Sequence, residues 1–268
     1  MIFELTFDDS YTLSSFGMKN MEGNEKQLLG DISSKTQNIP GVRGLYDFGD
    51  EVGAFKEKFP ILVLASDPLD RSYKLREFTN FILDDYGYPR LIKIQKSSEP
   101  DVYYWGKVTT PSIPKLYSNA GSFTLEVICL EGIKHGNTSA NDILWGSTKV
   151  RFNAGYTLGN TGTSANGVTI TSNQSIDSYV DGKAVKPSIK LVGSGTNVKI
   201  TCAGKSITVG TFSSQTVTID TEMFVAYFGG VERLIDMDDF YIVPNSNINV
   251  TGTGMNFVLT IDYQNVYM

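Results

Sequence analysis

The sequence predicts a mainly β protein in two parts: a β-rich α+β domain with one long helix, then an antiparallel β-sandwich. Three observations carry this. Strand-like runs bounded by turn residues recur along most of the chain. One segment has the caps and apolar spacing of a long helix. Composition also changes near the middle: residues 1–134 hold 34 charged side chains and seven of the nine prolines, against 18 and two in residues 135–268. The second half is instead rich in Gly, Ser, Thr and Asn, the residues of tight turns. The boundary falls in 135–147, a stretch with few periodic apolar residues that reads as a linker between domains at 1–134 and 148–268.

In the first half, the run 59–64 (FPILVL) is too short for a helix and reads as a strand. The helix is predicted over 68–86. Asp67 can cap it, Pro68 suits its first position, and Asp70 places negative charge at the positive end of the helix dipole. Leu75, Phe78, Ile82 and Tyr86 recur at three- and four-residue spacing and form one apolar stripe. Gly87 can supply a left-handed terminator, and Pro89 blocks continuation. The runs 90–95 (RLIKIQ) and 102–109 (VYYWGKVT), separated by a polar turn, then predict a hairpin.

From 149 onward, strand-like runs at 150–157, 167–171, 188–193, 197–203, 206–212, 216–220, 223–229, 248–252 and 256–263 are separated by turn residues, the spacing of a sandwich. Val198, Ile200 and Cys202 alternate with polar neighbours, and Phe257, Leu259 and Ile261 alternate with Val258 and Thr260, so one face of each run is destined for a core. A domain of this size folds without metals or disulfides.

Catalytic chemistry finds no support. The single histidine, His135, falls in the linker, so Ser/His/Asp chemistry has one candidate base, and with Cys129 and Cys202 on apolar strand faces a Cys/His zinc site is excluded. Both cysteines are expected as buried free thiols. Gly193-Ser194-Gly195 and Gly252-Thr253-Gly254 lack the remaining glycine of a phosphate loop and are expected in hairpin turns. The acidic groups Asp47, Asp50, Glu51 and Asp236, Asp238, Asp239 match no calcium-loop spacing and read as solvated turns; as a glycosidase pair they have no sequence support. Tyr103, Tyr104 and Trp105 alternate faces in a strand, which favours packing over a stacking platform, and Trp145 is expected to anchor the linker. No catalytic, cofactor or metal residue is therefore assigned, and no enzyme activity or cofactor is expected. The net charge of −6 and the absence of a basic cluster argue against nucleic acid as partner. No segment approaches a membrane span of about 18 apolar residues, and no cationic region precedes MIFELTFDD, so synthesis in the cytoplasm is expected.

MIFELTFDD opens the chain, followed by Gly44-Leu45-Tyr46-Asp47-Phe48-Gly49, the helix containing Tyr73-Lys74-Leu75-Arg76-Glu77-Phe78, and the hairpin through Tyr103-Tyr104. Lys186-Pro187-Ser188-Ile189-Lys190-Leu191, Val217 to Asp220, and Pro244-Asn245-Ser246-Asn247 follow in the second half. In this order the elements resemble the distal tail proteins, the baseplate hubs of long-tailed phages infecting Gram-positive bacteria. Asn245 stands where the family often has glycine, a position Asn fills because it tolerates positive φ. The resemblance implies a galectin-like C-terminal sandwich facing outward and a head-to-tail homo-hexameric ring of N-terminal domains. That ring would lie at the virion tail tip and join the tail tube protein to a tail-associated fibre or lysin protein. The alternative is a carbohydrate-binding module for host wall polysaccharide; the chain lacks the inserted module of sugar-binding family members.

Overall fold

The computed structural model describes residues 3–27, 30–39, 43–110, 114–140, 167–178 and 180–268. Two compact units divide the chain, Met1–Lys134 and His135–Tyr267.

In the first unit, β1 (Leu5–Phe7), β2 (Tyr11–Thr12), β3 (Met18–Asn20), β4 (Glu25–Lys26), β5 (Ile32–Gln37), β6 (Tyr46–Val52) and β7 (Phe55–Leu64) precede α1 (Pro68–Ile82). β8 (Ile92–Lys96), β9 (Glu99–Thr110), β10 (Lys115–Leu116) and β11 (Ala120–Cys129) follow it. In space the strands run β2, β1, β8, β9, β11, β7, β3, with β4 also on β7 and β10 on β11; among the described residues, β5 and β6 pair only with each other. β9 carries the sheet round the core, pairing first with β8 and then with β11. Glycine is required at the crossing: a Cβ on Gly106 would lie 2.4 Å from Cγ1 of Val127 and 3.2 Å from Cδ1 of Ile94. Along β7, Phe55, Glu57, Phe59, Ile61 and Val63 point inward in strict alternation, so a carboxylate occupies one place in an otherwise apolar stripe.

The helix starts as the sequence predicts. Asp67 accepts hydrogen bonds from the backbone N–H groups of Leu69 and Asp70, both at 2.8 Å, with Pro68 in the first turn. It ends at Ile82, a turn short of the predicted 86. Asp84 takes over there: its carboxylate accepts from the backbone N–H groups of Tyr86 at 2.9 Å and Tyr88 at 2.8 Å. Gly87 closes this separate turn with φ +83°. Tyr86 is consequently 87% exposed and leaves the apolar stripe. Phe81 replaces it, because Phe78 and Phe81 together clamp the helix onto Phe7 and Phe16, with ring centroids 5.2–6.2 Å apart.

In the second unit, β12 (Lys134–Ser139) forms a strand within the expected linker and pairs with β21 (Gln264–Tyr267). The strand expected at 150–157 and Trp145 lie outside the described residues. β13 (Val168–Ile170), β14 (Gln174–Asp177), β15 (Ser188–Cys202), β16 (Lys205–Asp220), β17 (Val225–Phe228), β18 (Val231–Arg233), β19 (Asp236–Met237) and β20 (Asn247–Asp262) complete it. Three pairs of expected strands are therefore fused into single strands of 15 or 16 residues. Gly193-Ser194-Gly195 and Gly252-Thr253-Gly254 lie inside these strands, not in hairpin turns; register shifts mark bulges between Gly193 and Lys199 of β15. One half of β20 pairs with β14 and the other with β13; β16 divides likewise between β19 and β17.

The bulges explain a change of side-chain phase. Ile189 and Leu191 are buried before the break in β15, and Val198, Ile200 and Cys202 after it; β20 changes from Ile248 and Val250 to Met255, Phe257, Leu259 and Ile261. Both halves of each strand thus face one core. One eight-stranded antiparallel sheet, built on long strands whose bulges shift the side-chain phase, thus surrounds a single core.

Phe78→Ala is expected to destabilise the first unit by about 3–5 kcal/mol, read as an earlier urea transition. An unmoved transition would refute the clamp. Gly193→Ala puts a Cβ 2.3 Å from the carbonyl oxygen of Asn256 at a φ of +142°, and is expected to lower the melting temperature of the second unit. Unchanged melting would contradict a glycine requirement at the bulge.

Candidate assembly surface

The residues first considered for chemistry do not come together. His135 is half-buried in β12, and Cys129 and Cys202 are buried free thiols. Asp238 accepts from the backbone N–H of Ser206 at 2.8 Å, and Asp239 pairs with Lys186 at 3.0 Å. Asp47, Asp50 and Glu51 are exposed along β6. Among the described residues, no group of three or more His, Cys, Asp or Glu side chains is placed to hold a metal. Tyr104 is buried, whereas Tyr103 and Trp105 share the opposite face edge to face at 6.2 Å between centroids. Asn245 adopts φ +57° in its turn, the conformation expected of it.

The conspicuous surface is the β5–β6 arm. Every residue of both strands is exposed, and Ile32 stands opposite Val52, Thr36 opposite Asp47 and Gln37 opposite Tyr46. At about 3.3 Å per residue, the arm extends roughly 20 Å. It presents Ile32, Leu45, Tyr46, Phe48 and Val52, with Leu45 65% and Phe48 62% exposed. Its root is firmly set. Asp31 N–H donates to the carbonyl of Ala54 at 3.1 Å, Gly53 N–H donates to the carbonyl of Asp31 at 2.7 Å, and Lys56 N–H donates to the side-chain oxygen of Gln27 at 3.0 Å. Cβ atoms on Gly30 and Gly132 would lie 2.1 and 2.3 Å from the carbonyl oxygen of Gly53, so the backbones meet there without side chains between them.

Beside this root lies a cluster of ionisable groups that the sequence reading missed. Glu57, 1% exposed on the inner face of β7, accepts from Lys96 Nζ at 2.6 Å and from the Tyr104 hydroxyl at 2.8 Å. Lys96 also lies among the rings of Phe3, Phe59 and Tyr104. Burial, and then the Glu57 carboxylate, hold the Tyr104 phenol well above its ordinary range. Lys134 pairs with Glu99, and Lys26 of β4 approaches the same carboxylate at 3.8 Å. Burial, followed by the Lys134 ammonium, lowers Lys26 to about 8. The strict alternation of β7 marks Glu57 as an inward carboxylate, which is the signal a sequence reading could have used.

Comparison with known proteins fits this picture. The family model of the phage tail protein RIFT-related domain matches residues 11–129. The fold of the whole chain is that of the Dit protein of phage SPP1, whose crystal structure is described as a paradigm of the hub adsorption apparatus in phages infecting Gram-positive hosts. The two are 14% identical, with a TM-score of 0.68 over 100% of both chains. A chain of the phage P2 baseplate, in its activated conformation with Ca, is 10% identical over 100% of this chain and 99% of that one, at a TM-score of 0.44. No curated protein matches the sequence. Residues 11–129 thus match a phage tail protein domain, within a chain whose fold is that of a phage hub protein. The sequence of the chain resembles the distal tail proteins, and the fold is similar to that of one hub protein of this kind.

Because the folded chain disfavours the charged form of Lys26, it has lost between about pH 8 and pH 10.5 a proton that the unfolded chain keeps, and the Lys26 contribution to stability rises with pH across that window. Lys26→Met is expected to be more stable than wild type below pH 8 and to lack this rise. Urea unfolding of the dilute full-length chain at about pH 7 and about pH 10 measures it; identical slopes in the two proteins would refute the assignment.

Proposed function

We propose that the chain is a structural hub of the tail tip. Six copies form a head-to-tail ring through their first units, and the ring joins the tail tube protein to the tail-associated fibre or lysin protein. The observation that carries this reading is the β5–β6 arm, which holds five large apolar side chains in solvent on a firmly set root. A head-to-tail ring needs two different surfaces on each subunit, and a projecting arm supplies one of them. Isolated ribbons are marginal in water, so cover from a neighbouring subunit accounts for both its length and its composition. The fold shared with the SPP1 hub protein supports the same role.

Light scattering of the purified chain, alone or with its tail partners, is expected to give a particle near six times 29.5 kDa. Phe48→Asp, which removes no contact within its own unit's core, is expected to leave a folded monomer. A wild-type chain that stays monomeric with every tail partner would overturn the ring. Phe48→Asp particles of unchanged mass would remove the arm from it.

A further inference from the structure

The cluster beside the arm root is unbalanced. Three ammonium groups, of Lys26, Lys96 and Lys134, face two carboxylates, of Glu57 and Glu99, together with the neutral Tyr104 phenol. Lys96 is held by Glu57 and Lys134 by Glu99. Lys26 lies within hydrogen-bond reach of the Lys134 amine, a like charge that disfavours its own ammonium; its one carboxylate is the same Glu99 at 3.8 Å, and no other carboxylate pairs with it among the described residues. The surplus charge is also the one placed to meet another molecule: the Lys26 side chain is 34% exposed, whereas those of Lys96 and Lys134 are 7% and 4% exposed. A partly exposed, poorly matched ammonium costs the separate chain stability, reduced by solvent screening, as its lowered pKa reflects.

The arm has the complementary surplus. Between Asp31 and Val52 it carries Asp31, Asp47, Asp50 and Glu51 against Lys35 and Arg43. Asp31 accepts from Gln27, Glu51 pairs with Lys35, and Asp47 accepts the backbone N–H of Gly49 through one oxygen. Asp50 is exposed and has no partner among the described residues.

We infer that Lys26 is the receptor for a carboxylate on the arm of a second copy of this chain, supplied by Asp50 or by the neighbouring Asp47. The inference rests on the ring proposed above and assigns that ring one polar anchor. Docking brings a third carboxylate to three ammonium groups, and the charge that weakens the separate chain then strengthens the assembly. Such a pair also fixes the register of the contact, because a wrong alignment leaves both charges partly buried and unpaired. Apolar residues of the arm supply area, and the anchor specifies where that area settles.

The test is charge exchange in the full chain, with particle mass read by light scattering across a dilution series. K26E is expected to shift the ring toward monomer, and D50K or D47K to do the same. K26E combined with one of those two substitutions is expected to restore the ring. Lys26→Met guards against a folding defect: its monomer is expected to be more stable than wild type, while its ring dissociates at a protein concentration about tenfold higher. Restoration by either exchange supports the anchor. Rings of wild-type affinity in K26E and K26M, or failure of both exchanges beside a folded K26M monomer, overturn it. A wild type that forms no ring would instead remove the ring proposal itself.

Discussion

A two-stranded ribbon with no third layer cannot bury its own side chains, and the organisation of the first unit follows from that constraint. The β5–β6 arm carries Leu45, Tyr46 and Phe48 in solvent, where apolar area brings no stabilisation to the separate chain. The unit invests instead in the root. Gly30, Gly53 and Gly132 meet backbone to backbone, and ladder bonds to Ala54 and Lys56 fix the direction in which the ribbon leaves the sheet. Rigidity at the root and exposure along the strands are complementary: a preoriented arm loses less entropy when a neighbour covers it.

The helix and the ionisable cluster serve the same frame from different sides. Phe78 and Phe81 press α1 onto Phe7 and Phe16 and so close the core of the first unit. Glu57 takes an apolar position in β7 and is tolerated because Lys96 and Tyr104 satisfy both of its oxygens. Replacing such a network with apolar residues often costs nothing in stability, so its value is more naturally sought in what it positions. Here it sets the charge environment of Lys26, next to the arm root.

Much of this was legible in the residues. Asp67 and Pro68 marked the helix start, and alternating apolar residues marked the strands that line both cores. The helix end was misread because Gly87 and Pro89 look like terminators, whereas Asp84 had already captured the backbone of Tyr86 and Tyr88. Fused strands were read as separate because glycines inside β15 and β20 look like turns. The change of phase from Leu191 to Val198 carries the correct information, since an odd step between two inward residues is what a bulge within one strand produces. Residues 44–49 carry the family likeness in the sequence, whereas the exposure of the arm is a property of the tertiary fold, in which no third strand pairs with it among the described residues. The Lys26 cluster was invisible for the same reason: four strands and the residue that ends the first unit bring its members together.

One measurement addresses the arm as an inter-subunit contact without relying on a loss of function. A photo-crosslinking amino acid in place of Phe48 reports which molecule lies against the arm in the assembled particle. The account predicts intermolecular adducts that form a ladder ending at six chains, with the other end of each crosslink in the first unit of the neighbour. Crosslinks confined to the same chain, or none in a particle of hexameric mass, would contradict it.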